Sequence, residues 1–211
     1  MAALRSLWPL ALFGIAGFLA LLVLVRAGLT LPLDRAITRA IQRAAWPGLL
    51  GLMEWVSWPG YLPQCVPIGL LLAATFALAR RWSEAGLLLL GLLSLALSFF
   101  LKGLVDRPRP NAALDGVVVH VTGTSSSFPS GHVLSYVTIL GFLAYLAATR
   151  SRGPLHRTLP LLALGPILLV GPSRLYLGEH WFTDVAASYC LGLACLVGLI
   201  VLHRRLMSRK T

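Results

Sequence analysis

Six stretches of the chain, residues 7–25, 61–79, 84–101, 131–149, 159–176 and 184–202, are almost wholly apolar. Each is about as long as a helix needs to be to cross a hydrocarbon core of roughly 30 Å. In a bilayer there is no water to satisfy backbone N–H and C=O groups, so such runs fold as helices that satisfy their own. The fold class that follows is an all-α integral membrane bundle of about six transmembrane helices. Composition agrees: 57% of the 211 residues are hydrophobic and only 12% charged, against roughly 25% charge in soluble domains. Arg5 precedes the first run, as in a signal peptide. That run is longer than the ~7–15 apolar residues of a signal peptide, and no small-x-small cleavage site follows, so it is expected to be a first membrane helix. No internal repeat or low-complexity segment divides the chain, and residues 1–211 read as one domain.

The segment after the first span has a different texture. Leu33, Ile37, Ile41 and Ala44 recur on one helical face and Arg35, Arg39 and Arg43 on the other, with Asp34 placed to cap the helix. The pattern predicts a short amphipathic helix lying in the membrane interface, its arginines solvated or steering anionic lipid. Trp46, Trp55, Trp58 and Tyr61 follow, aromatics of the kind that settle at headgroup depth.

An even number of spans puts both termini on one side. The N-terminus, Arg80-Arg81, the 150–157 loop and the tail together carry ten Lys/Arg and one acid, Glu84, whereas the other side carries eight Lys/Arg and six acids. By the positive-inside rule the termini are expected in the cytoplasm of a bacterial-type inner membrane, with residues 102–132 and 173–184 emerging on the outer, periplasmic side. The formal net charge of +11 suits anionic headgroups or a phosphate-bearing substrate. No basic run interleaved with aromatics points to nucleic acid. Cys65, Cys190 and Cys195 lie within apolar runs, without metal-site or redox spacing, and are expected to pack the core.

Three polar clusters meet on the outer side. The first runs from Lys102 to Pro110, where Pro108 and Pro110 turn the chain so that Arg109 need not continue a helix. The second is Phe128-Pro129-Ser130-Gly131-His132, ahead of a long apolar run. Its residues fall at a helix start, whose unpaired N–H groups and dipole suit an anion, although an ordinary serine N-cap reads the same way. The third runs from Ser173 to Asp184. If the last helix begins before His180, the i, i+4 spacing puts His180 and Asp184 on one face. The carboxylate can then accept one imidazole N–H and leave the other nitrogen free to attack. Three cations, Lys102, Arg109 and Arg174, repel one another unless an anion sits among them, and phosphate matches arginine geometry. Phosphoryl transfer needs stabilised equatorial oxygens, an in-line nucleophile and a proton for the leaving group, and each role has a candidate here.

Lys102-x6-Arg109-Pro110, Pro129-Ser130-Gly131-His132 and Ser173-Arg174-x5-His180-x3-Asp184 resemble, without departure, the three motifs of the type 2 phosphatidic acid phosphatase (PAP2) superfamily, in its integral membrane lipid phosphatase branch. The resemblance implies that His180 is the nucleophile, forming a phosphohistidine, and that Asp184 orients it. It implies His132 as the acid that protonates the leaving alkoxide and then activates water. Lys102, Arg109, Ser130, Gly131 (through its backbone N–H) and Arg174 would hold the phosphoryl oxygens. The implied chemistry uses no metal and no cofactor, and the implied partners are membrane lipids and a lipid phosphate substrate. Phosphatidate, phosphatidylglycerol phosphate and undecaprenyl diphosphate all fit. A lipid phosphotransferase on the same scaffold and a non-enzymatic lipid-phosphate transporter are the alternatives. A His132–His180–Asp184 metal site is opposed by the three cations and by the absence of HExxH. His120 is expected in the outer loop, and His156 and His203 on the cytoplasmic side. Asp106 and Arg107 are expected to pair locally or tune the loop, and Glu179 to raise the basicity of His180.

Overall fold

The computed structural model describes residues 7–150 and 155–209. Arg5, Arg152 and Lys210, which entered the charge count, and the side chains of Arg150 and His156 lie outside the described residues. All regular structure among the described residues is helical: α1 (Trp8–Arg26), α2 (Leu31–Gln42), α3 (Leu49–Ser57), α4 (Leu62–Leu78), α5 (Trp82–Val105), α6 (Ala112–Asp115), α7 (Gly131–Ser135), α8 (Gly141–Arg150), α9 (Leu155–Tyr176) and α10 (Phe182–Ser208). A π-helical turn, Tyr136–Leu140, joins α7 to α8 into one span. Five helices are long and apolar enough to cross a membrane. A sixth arises if α3 and α4, bent by 58° where they meet at Tyr61, count as one broken span. The expected membrane bundle is therefore the fold.

What holds it together is packing between helices rather than withdrawal of apolar surface from water. Leu12, Phe13, Val23, Leu71, Leu161 and Leu162 all point outward, which costs nothing against lipid tails. The close approach of α1 to α10 depends on a missing side chain: a Cβ on Gly14 would stand 2.5 Å from the Cys190 carbonyl oxygen. Leu88, Leu95, Phe142, Leu146 and Leu199 interlock α5, α8 and α10, with Cys65 in the same cluster.

The amphipathic helix exists as α2, but it sits differently from the periodicity. It starts at Leu31 with Thr30 at the cap position, so Asp34 does not cap it and is fully buried one turn in. Asp34 and Thr38 face the protein while Leu33 faces out. Ile37 and Ile41 also pack, partly buried, against the cluster of Val56, Val133, Tyr136 and Val170, while Arg39 and Arg43 stay exposed. Arg35 donates to Asp115 Oδ1 from Nε (2.9 Å) and Nη2 (2.6 Å), and Arg39 donates to the Asp115 carbonyl. These two arginines thus tie α2 to the loop around α6. Trp46, Trp55 and Trp58 are exposed, whereas Tyr61 turns inward.

Candidate active site

The three polar clusters converge at one end of the bundle around a cavity of about 320 Å³. Lys102, Arg109, Gly131, His132 and His180 line it, together with Tyr61, Glu179 and the apolar side chains of Leu62, Leu95 and Phe99. Ser130, Arg174 and Asp184 do not reach its wall.

Lys102 occupies the last turn of α5, which runs beyond the expected end at Leu101. Its Nζ donates to the Ser126 carbonyl oxygen at 2.5 Å. Arg109 lies in the non-helical segment beyond the end of α5 at Val105 and donates to the Ser125 and Glu179 carbonyls, both at 2.8 Å. Ser130 stands at the cap position of α7, yet its Oγ makes no cap bond and, like His132 Nε2, is buried without a hydrogen-bond partner. The Ser130 N–H donates to Ser188 Oγ at 2.7 Å, which fixes the helix entrance against α10. Buried orphans of this kind are rare and gather where a polar ligand belongs. Gly131 is the first residue of α7, so its N–H is one of those that the helix leaves unpaired. Gly60 packs directly on the His132 ring, and the Tyr61 ring meets it edge-on at 4.6 Å.

His180 differs from expectation in its setting. The last helix begins at Phe182, so His180 precedes it and no i, i+4 helical pairing holds the ring. Its Nδ1 lies 2.7 Å from the Ser127 carbonyl oxygen and 3.7 Å from Asp184 Oδ2. The carbonyl, not the carboxylate, therefore accepts the Nδ1 proton. Asp184 is one step removed: its Oδ2 accepts from Ser127 Oγ and from the Trp181 N–H (2.8 Å). A carbonyl only accepts, so Nδ1 carries the proton and Nε2 keeps its lone pair. Burial, followed by the charges of Lys102, Arg109 and Arg174, holds the His180 pKa well below the ordinary 6.5 and keeps the ring neutral.

Two residues given minor parts from the sequence carry more than that. Arg107 does not pair with Asp106, which is exposed at the end of α5. Its guanidinium is buried, with Nη1 on Asp184 and on Thr183 Oγ1 (2.8 Å), and Nη2 on Asp34 (2.5 Å) and Thr30 Oγ1 (2.9 Å). Asp34 also accepts the Thr183 N–H at 2.8 Å. The interfacial helix is thereby joined to the carboxylate beside His180. Glu179 does not face His180 as a base-strengthening neighbour. It pairs with Arg174, stands 3.7 Å from Arg109 and accepts from the Tyr61 hydroxyl at 2.6 Å. Arg174 lies fully buried behind it.

Elsewhere, His120 is exposed and stacks on Tyr176, while His203 is buried near Glu84 and Tyr145 at the opposite end. Among the described residues, no three His, Cys, Asp or Glu side chains converge as a metal site.

A neutral His180 and a second histidine beside a cationic wall, set at the end of a bilayer-spanning bundle, are the equipment of a membrane phosphoric ester hydrolase. Comparison with known proteins narrows the class: residues 83–208 match the PAP2 superfamily, and the chain belongs to it. It is 31% identical to phosphatidylglycerophosphatase B of Bacillus subtilis over 194 residues, 88% of this chain and 89% of that one. It is 34% identical over 175 residues to decaprenylphosphoryl-5-phosphoribose phosphatase of Mycobacterium tuberculosis, 79% and 87% of the two chains. The crystal structure of a transmembrane PAP2-type phosphatidylglycerolphosphate phosphatase from Bacillus subtilis matches with a TM-score of 0.76 at 26% identity, over 100% of this chain and 98% of that one. LpxE of Aquifex aeolicus shares the fold, with a TM-score of 0.63 at 22% identity over 80% and 94%. These relatives are membrane lipid phosphatases.

Proposed function

We propose that the chain is a metal-independent phosphatase that hydrolyses the phosphomonoester or diphosphate of a lipid, such as phosphatidate, phosphatidylglycerol phosphate or undecaprenyl diphosphate, through a phosphohistidine. The observation that carries this reading is the His180 ring, with Nδ1 anchored on the Ser127 carbonyl at 2.7 Å and the ring on the wall of a cavity shared with His132, Lys102 and Arg109. His180 Nε2 attacks phosphorus, and the bond to the lipid oxygen breaks as His132 hands that oxygen a proton. A water oxygen then attacks the phosphohistidine, His132 takes the water proton, and the P–N bond breaks to release phosphate. Asp184, 3.7 Å from Nδ1, stabilises the positive charge that the ring acquires in the intermediate. Lys102, Arg109 and the Gly131 N–H on the cavity wall hold the phosphoryl oxygens, with Ser130 and Arg174, both fully buried, acting from behind them. Leu62, Leu95 and Phe99 leave the acyl or prenyl chain beside the bilayer.

Three neighbouring cations disfavour a divalent metal at this site. The charge asymmetry of the loops supports cytoplasmic termini in the plasma membrane and a site facing the outer leaflet. The test is phosphate release by purified protein in excess EDTA, from the three lipids named above. Release that persists in EDTA and disappears in His180→Ala supports the mechanism. Release abolished by EDTA, or retained by His180→Ala, overturns it.

A further inference from the structure

Glu179 is the only carboxylate on the cavity wall among the described residues. It is buried, and three contacts fix it: Arg174 against one oxygen, the Tyr61 hydroxyl at 2.6 Å on the other, and Arg109 at 3.7 Å. Arg174 in turn lies within 3.4 Å of the Tyr61 hydroxyl and beneath its ring, 5.2 Å from the centroid. A carboxylate seated this way answers the charge of Arg174 with an anion belonging to the protein. Lys102 and Arg109 are then the cations on the wall itself. Resting on the phosphatase reading above, we propose that Glu179 tunes specificity, shifting the site toward a lipid phosphomonoester relative to a lipid diphosphate.

The reason is electrostatic and does not depend on the total charge of the site. A fixed negative charge on the wall opposes every anionic ligand in proportion to the ligand's own charge. A diphosphate monoester brings about one more negative charge than a phosphomonoester, and Glu179 penalises that additional charge. Excluding the wrong ligand by repulsion is a common route to specificity. At an effective dielectric between those of protein and water, one extra charge a few ångströms away is worth about a tenfold discrimination.

The test compares phosphatidate with diacylglycerol diphosphate carrying the same acyl chains. Glu179→Gln, which keeps the shape, is expected to raise the diphosphate-to-monophosphate ratio in kcat/KM about tenfold over wild type. Glu179→Asp, which keeps the charge, is expected to leave the ratio near wild type. A ratio that stays the same in Glu179→Gln overturns the proposal. The same comparison is made by binding, with inorganic phosphate and pyrophosphate and a thermal-shift readout that needs no turnover. Removing the charge is expected to raise the pyrophosphate-to-phosphate affinity ratio about tenfold, read in Glu179→Gln or, where that variant does not fold, in Glu179→Ala, and an unchanged ratio overturns the proposal. If no lipid releases phosphate, the hydrolysis reading fails while the binding ratio still judges Glu179.

Discussion

Replacing Arg107 tests how far the positioning of His180 depends on a residue outside the cavity. The guanidinium spans two fully buried carboxylates, Asp34 and Asp184, with one nitrogen on each. Its backbone N–H donates to Ser126 Oγ (2.9 Å), and its carbonyl accepts the Ser127 N–H (2.8 Å), in the segment that anchors His180. Arg107→Ala strands two buried charges, and removing one partner of a buried pair costs about 3–5 kcal/mol. Arg107→Lys keeps the charge but has a single ammonium in place of the fork, so it serves one carboxylate and leaves the other. We expect stability in detergent, followed by tryptophan fluorescence, to fall in the order wild type, Lys, Ala. Because Arg107 does not line the cavity, KM should change by less than about threefold while kcat falls, about a hundredfold in Arg107→Ala, the scale of a 1 Å misplacement. Wild-type kcat in Arg107→Lys would refute the reasoning. A loss confined to KM would refute it too, because it would put Arg107 on the substrate.

Two further predictions follow from the same geometry. A Cβ on Gly60 would collide with the His132 ring, standing 2.9 Å from its Cγ, and would approach Tyr136 to 3.1 Å; Gly60→Ala should therefore lower kcat at least tenfold, measured as phosphate release, whereas Gly51→Ala, with open space around its Cβ, should not. The depressed pKa of His180 makes stability depend on pH: above the ordinary 6.5 its contribution is fully present, and below it the unfolded chain takes up a proton that the folded chain refuses. Stability should fall with falling pH from 6.5 down to the lower folded value. His180→Asn should reduce that slope by up to about 1.4 kcal/mol per pH unit in pH-dependent melting; an unchanged slope would show that the ring is not held neutral.

The membrane bundle and the motif positions were legible in the sequence because both are written locally. Runs such as 184–202 leave the backbone no alternative to a helix, and the spacing from Lys102 to Asp184 names its own residues. Helix α3 was not legible, since nine residues beside a tryptophan cluster look like an interface segment until α9 supplies something to pack on, including the Ser57–Ser173 hydroxyl pair at 2.8 Å. Nor was the inward face of α2. Asp34 reads as a cap in sequence, and only Arg107 and Thr183, drawn from distant segments, make burying it favourable. Glu179 and Arg174 are only five residues apart, but their pairing is completed by the Tyr61 hydroxyl from a distant segment. Hydrophobic length and motif spacing are properties of one segment and can be read along the chain. The partner of a buried charge is a property of several segments at once, and a low-dielectric interior makes that choice energetically decisive only after the helices have packed.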